Sequence, residues 1–210
     1  MILHRDCIFY KYSGTPNWRE FEEQNQGKFC SFICEPYQND VLKVKLTWLD
    51  PIKVRDKIIT SERKNVIFFI FEKYKTICIF GSSESQIGYT ISKILEFFPV
   101  HLKKVNLFDK YSKKFLASSS HSGLILTSFD IAKQKSSFDD NTYINISLNE
   151  IKQERMEDYM NSYQVISLVI LFEERRMYFS LDLHSVISFF DTDESYSIYQ
   201  TCERIVMDIA

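Results

Sequence analysis

The sequence predicts an α+β protein in which helices cross an antiparallel sheet and one strand–helix–strands–helix unit occurs twice. Three observations carry this. Leu42, Val44, Leu46 and Trp48 alternate with Lys43, Lys45 and Thr47, the period of a strand with one wet face. Ile87, Ile91, Ile94, Leu95 and Phe98 recur at helical spacing and define one apolar face. The same offsets return in Ile198, Cys202, Ile205, Val206 and Ile209. Runs of strands followed by helices, without strict βα alternation, are the α+β pattern.

Residues 1–40 read as an N-terminal α+β extension. Met1–Tyr12 suits a strand, Ser13–Trp18 a turn leading into a short polar helix, and Lys28–Cys34 a second strand. Residues 41–115 form the first unit. After the alternating strand, Asp50-Pro51 offers an N-cap and a proline at the first helical position, predicting a helix through Ile59. Asn65–Phe71 and Thr76–Phe80 are apolar strands around the charged corner Glu72–Lys75. Ser83 and Gln86 have capping-box spacing ahead of the amphipathic helix, Pro99 ends it, and His101–Phe108 returns as a strand.

Residues 116–141 read as a Ser- and Lys-rich connector with one strand near Gly123–Asp130. Residues 142–210 form the second unit. It comprises a strand at Tyr143–Leu148, a helix from cap Asn149 to Met160, strands at Gln164–Phe172, Met177–Leu183 and Val186–Phe190, and a final helix after Asp191–Glu194. Displacing Val66–Glu84 by 110 positions lays Ile67 on Met177, Phe69 on Phe179, Ile77 on Ile187, Ile79 on Phe189 and Phe80 on Phe190. One extra residue after Glu194 brings the two helical stripes into phase, and Leu42–Ile59 falls opposite Tyr143–Met160 upstream. Such a recurrence is the mark of a duplicated supersecondary unit.

The stretch Ile70-Phe71, a charged turn, Lys75, a strand, Gly81-Ser82, an amphipathic helix and Phe98-Pro99 resembles a half-repeat of the TATA-box-binding-protein family. The resemblance implies a pseudo-duplicated antiparallel saddle crossed by helices. It implies that Phe71 is the wedge that unstacks a base step from the minor groove, and that Lys75 is the turn lysine. This chain departs from the family pattern at Lys73-Tyr74, where the family has a small Ser-Gly, and by one extra residue between Lys75 and Gly81. Leu181 and Ser185 stand at the equivalent positions of the second unit, without the lysine.

Composition narrows the function classes. At 210 residues with 45% hydrophobic content the chain can bury a core, which excludes wholesale disorder. Five glycines leave no phosphate-binding loop, dinucleotide fingerprint or Gly-x-Ser-x-Gly elbow. Residues 1–115 carry 19 Lys/Arg against 13 Asp/Glu, and residues 116–210 carry 7 against 15. That split orients partners or favours head-to-tail self-association, so homo- or hetero-oligomers are both open. Five cysteines without framework spacing, and no basic n-region ahead of an apolar stretch, predict an intracellular protein of cytoplasm or nucleus. The apolar runs Val66–Phe71 and Val165–Phe172 are far shorter than the roughly 20 residues of a membrane helix, so no membrane is expected.

Several constellations bear on chemistry. Lys103, Lys104, Lys110, Lys113 and Lys114 are interleaved with Phe108, Tyr111 and Phe115. With Lys43, Lys45, Lys73 and Lys75 they suggest one basic face which, with Phe71, suits phosphate contact and base stacking. His4, Cys7, Cys30 and Cys34 are zinc-competent, but Cys30 and Cys34 on one strand lie roughly 13 Å apart, and no metal is assigned. Asp139, Asp140, Glu150 and Lys152 echo magnesium nucleases, while an acid just after a helix cap is favoured by the dipole alone. Asp191, Asp193 and Glu194 have the same helix-start explanation, and His101, His121 and His184 lack sequence-local partners. No catalytic residue or cofactor is assigned. The expectation is a non-enzymatic binding subunit with a protein partner in a larger complex. The alternatives are a transcription-factor-like nucleic-acid-binding protein using the lysine face and a metal-dependent nuclease.

Overall fold

A computed structural model describes residues 4–20, 29–38, 40–54, 57–132, 143–149, 151 and 153–210. The chain is α+β with antiparallel strand pairing, and it divides into two compact units, Met1–Lys104 and Val105–Ile209.

Unit 1 contains strands β1 (Asp6–Ser13), β2 (Cys30–Gln38), β3 (Val41–Val54), β4 (Lys57–Phe71) and β5 (Thr76–Phe80), helix α1 (Glu84–Phe97) and strand β6 (His101–Lys104). The strand order is β2-β3-β4-β5-β1, with β6 also on β1. The first strand is thus an integral strand beside β5, where the sequence had suggested an extension preceding the first unit.

The helix expected from Asp50 to Ile59 does not form. β3 and β4 instead make a long hairpin paired from Val41↔Phe71 to Val54↔Lys57, with a register shift between Asp50 and Pro51. The pairing of β2 with β3 ends at Cys30↔Trp48, so among the described residues Pro51 lies where β3 has β4 as its neighbour. A proline is tolerated at such an edge and at a bulge, because its missing N–H removes no ladder bond. The β-branched run Ile52, Val54, Ile58, Ile59 and Thr60 favours extension over a helix.

Helix α1 begins as its sequence signals. Ser83 Oγ accepts from the Gln86 N–H at 3.4 Å, while Gln86 Oε1 accepts from the Ser82 N–H, one residue ahead of the expected reciprocal partner. Ile87, Thr90, Ile94 and Phe98 are buried, whereas Leu95 is 46% exposed, so the buried stripe passes through Thr90 instead. The helix packs on the sheet face that carries Phe32 and Trp48: Tyr89 stacks on Trp48 at 4.7 Å and Phe97 meets Phe32 edge-on at 5.7 Å. On the opposite face Cys7, Phe9, Ile67, Phe69, Phe71, Cys78 and Phe80 are buried as well. Burial on both faces explains why β4 and β5 read as continuous apolar runs. At these described positions β4 and β5 are buried on both faces, so Ile70 and Phe71, which carry the saddle resemblance, do not lie on an open face.

Unit 2 contains α2 (Leu107–Ala117), β7 (Ser120–His121), β8 (Leu124–Ala132), β9 (Tyr143–Ser147), α3 (Gln153–Ser162), β10 (Val165–Phe172), β11 (Met177–Asp182), β12 (Ile187–Phe189) and α4 (Ser195–Asp208). The strand order is β12-β11-β10-β8, with β7 and β9 both on the far edge of β8. Helix α2 replaces the predicted continuation of a strand to Phe108. Asn106 Oδ1 caps it by accepting from the Asp109 N–H at 3.1 Å, and Leu107, Tyr111 and Phe115 are buried at i, i+4 and i+8. Helix α3 starts at Gln153, four residues later than the predicted cap. In α4 the stripe Ile198, Cys202, Ile205, Val206 and Ile209 is buried throughout.

Each unit contains a meander of consecutive strands followed directly by a helix: β3-β4-β5-α1 in unit 1 and β10-β11-β12-α4 in unit 2. In unit 1 the turn Glu72–Tyr74 closes with Lys75 in the left-handed region, its N–H donating to Glu72 O at 3.1 Å. Unit 2 has that turn twice. Arg176 donates to Glu173 O at 3.1 Å, and Ser185 donates to Asp182 O at 2.8 Å, both with positive φ. Turn geometry therefore fits displacements of both 101 and 110 positions, while the strand-then-helix order fits 110.

Candidate functional site

The residues predicted to form one basic face separate into two places within unit 1. Lys103 and Lys104 lie on β6, exposed, with Lys103 directly opposite Lys11 of β1. Lys11 is also opposite Thr76, and its Nζ donates to Tyr74 O at 3.0 Å. The Tyr12 N–H donates to Lys75 O at 2.9 Å, which holds the turn carrying exposed Lys73 and Lys75 against the same end of β1. Lys73, Lys75 and Lys103 thus come to the end of β1 that carries Lys11, with Glu72 as an acid in the same turn, whereas Lys104, opposite Tyr10, falls on the other face of β6. Lys11 was missed because one lysine in an apolar strand carries no pattern; only strand register brings it to Lys103.

Lys43 and Lys45 do not join that group. They lie half-buried on β3, opposite Glu35 and Ile33 of β2, and Lys43 Nζ sits 5.7 Å from the Tyr37 ring centroid. Four strand spacings separate β3 from β6, roughly 19 Å. Phe71 is also displaced from its expected role. It is 1% exposed, at the end of β4 between Val41 and Thr76. A wedge between base steps must be exposed, so this side chain is core. In unit 2, Tyr111 and Phe115 are core side chains of α2, which removes them as stacking platforms for the neighbouring lysines.

The zinc-competent residues do not converge. Cys7 is on β1, and Cys30 and Cys34 are on β2, at opposite ends of the strand order of unit 1. His4 Nε2 lies 3.3 Å from Asn65 O. Burial pushes the Cys30 thiol up, against the smaller lowering effects of Lys93 and of a hydrogen bond with Tyr89, which disfavours the thiolate that a metal requires. The nuclease-like residues Asp139, Asp140, Glu150 and Lys152 lie outside the described residues. Asp193 serves the chain locally, its Oδ2 accepting from the Phe190 N–H at 2.8 Å ahead of α4.

Two features were not anticipated from sequence. In unit 2, Asp208 at the end of α4 meets Lys114 Nζ at 2.7 Å and His121 Nε2 at 3.1 Å. Burial alone would raise the Asp208 carboxyl, but the hydrogen bond and charge of Lys114 outweigh it and hold the group below its ordinary range, with His121 adding to the effect. The neighbouring Tyr111 hydroxyl is buried without a hydrogen bond of ordinary geometry, and burial and the charge of Asp208 push its phenol well up. In unit 1, a cavity of about 300 Å³ is lined by Arg19, Cys34, Pro36 and Leu42.

No protein-family model and no curated protein sequence matches the chain. Among the described residues no helix is long and apolar enough to cross a membrane.

Proposed function

We propose that the protein is a non-enzymatic binding subunit that docks a protein partner on the sheet face of unit 2 opposite its buried core. The observation that supports this is an exposed aromatic pair. Tyr178 is 43% exposed and Phe190 is 59% exposed. Because Phe179 pairs with Phe189, continuing that register sets Tyr178 of β11 opposite Phe190, the residue just after β12. The strip between them and β8 is half-exposed, with Leu171 and Ile125 in line with Tyr178, and it turns polar toward its far end, where Asp130 accepts from Asn145 Nδ2 at 2.7 Å and from Ser167 Oγ. Aromatic anchors beside satisfied polar groups are the composition of a protein interface. We read the two meander-plus-helix motifs as copies of one unit, in keeping with the family resemblance at Ile70–Phe71 and with the displacement of 110.

The test is recovery of a partner on the affinity-tagged full chain, compared with Tyr178→Glu/Phe190→Glu. Loss of that partner at unchanged thermal stability supports the reading. Equal recovery by both proteins, or a chain that runs only as a partnerless monomer, counts against it.

A second reading, binding of a nucleic acid or another polyanion at the lysine end of unit 1, is supported by the Lys11–Lys103 juxtaposition. It predicts salt-sensitive binding to duplex DNA, with the salt slope reduced by about one for each phosphate contact removed in Lys75→Ala and Lys103→Ala. An unchanged slope in both variants argues against it.

A further inference from the structure

We propose that β2 accepts an extended peptide of alternating apolar and acidic residues, which adds a strand to the sheet of unit 1. Among the described residues β2 is the outermost strand of the unit and pairs with β3 on one side. The phase of its ladder follows from one bond: the Leu49 N–H donates to Phe29 O at 2.9 Å. Residues at odd positions, from Phe29 to Glu35, therefore direct their backbone groups toward β3, and those at even positions, from Cys30 to Pro36, direct theirs to the outer edge. Pro36 fits that phase, because its missing N–H falls on the outer edge and costs no bond to β3.

The two sides of this edge differ in a way that specifies the occupant. On one side Phe29 is 56% exposed and Ile33 is 48% exposed, with Lys45 directly opposite Ile33. On the other side Pro36 lines the cavity of about 300 Å³ bounded by Arg19. A strand laid along β2 places alternate side chains on the two sides. Apolar side chains cover Phe29 and Ile33, while acidic ones extend an aliphatic stem into the cavity and carry a carboxylate to Arg19. Glu35 is the acid on the strand itself and faces Lys43, which offsets it. Main-chain bonds at a sheet edge supply affinity and side-chain pockets supply selectivity, the general pattern of strand addition. This inference shares with the proposed function only the kind of partner, a protein; its surface, strand and residues are separate.

The experiment uses the full chain and a fluorescent peptide of alternating Val and Glu, about eight residues long to span the strand. Saturable binding is expected by anisotropy, with amide-exchange protection gained along residues 30–36. The same peptide N-methylated at alternate residues, and an alternating Val-Lys peptide, are each expected to bind at least about tenfold more weakly. Arg19→Glu is expected to weaken the Val-Glu peptide and leave the Val-Lys peptide no worse. Equal binding of the N-methylated peptide, equal binding of Val-Lys, or protection gained elsewhere overturns the proposal. Repeating the titration with Tyr178→Glu/Phe190→Glu separates the two ideas, since peptide binding is expected to survive a change that abolishes docking on unit 2.

Discussion

Lys114 Nζ lies 2.7 Å from Asp208 Oδ2, joining the last turn of α2 to the last residue of α4 across 94 positions of sequence. An acid at a helix C-terminus is unfavourable against the dipole, so Asp208 is tolerated there only because cations meet it. His121 Nε2 takes the other carboxylate oxygen at 3.1 Å.

The carboxyl of Asp208 is lowered in the folded protein, which fixes the sign of a pH effect. A depressed acid contributes stability in full above its unfolded range and loses it as pH falls through the lowered folded value. Chemical denaturation of wild type and Asp208→Asn should therefore differ most at neutral pH and converge in acid. A gap that widens on acidification sinks this account.

Phe71→Ala should act on stability and leave any nucleic-acid contact to the lysines. Truncating a buried phenylalanine costs about 3–5 kcal/mol, a large share of a domain's total. The check is a denaturation curve beside a DNA titration under folding conditions. Little loss of stability with a selective loss of DNA binding would restore the wedge role that burial denies.

Gly14 should not tolerate a side chain. Its φ is +112°, and a Cβ built there would stand 2.8 Å from the backbone oxygen of Pro99. A non-glycine residue held in a sparsely populated region costs about 1–3 kcal/mol before the clash is counted. Gly14→Ala should lower the midpoint of thermal unfolding by several degrees, roughly 4–8 °C per kcal/mol for a small domain. An unchanged midpoint means that the turn relaxes.

What the sequence made legible follows from which forces act locally. The helix at Ser83 and the stripe of α4 depend on capping and 3.6-residue periodicity, and both stand where expected. The segment after Asp50 does not, because Asp-Pro is compatible with a helix start and with a strand bulge, and only pairing with β4 decides between them. Helix α2 carried a usable signal, Asn106 ahead of Leu107, Tyr111 and Phe115, hidden beneath a run of lysines that read as a surface. The candidate sites were the least legible. Lys103 and Lys11 lie 92 positions apart, and Lys43 and Lys103 are separated by strand order, neither of which periodicity can report.

The Lys11–Lys103 pair yields the sharpest electrostatic prediction. Like charges directly opposite on an antiparallel pair destabilise it, so removing one should stabilise the unliganded protein while weakening its hold on an anion. Lys103 is exposed on the short strand β6, and its truncation leaves no cavity. Lys103→Ala should therefore raise the unfolding midpoint slightly at low salt, with the difference vanishing at high salt as screening shortens the range of the repulsion. Added inorganic polyphosphate should stabilise wild type more than the variant, because a ligand stabilises only in proportion to its binding to the folded state. A site that serves only structure gives the opposite pair of results: a variant less stable at every ionic strength, and equal response of both proteins to polyphosphate. Differential scanning fluorimetry across a salt series, with and without polyphosphate, separates the two.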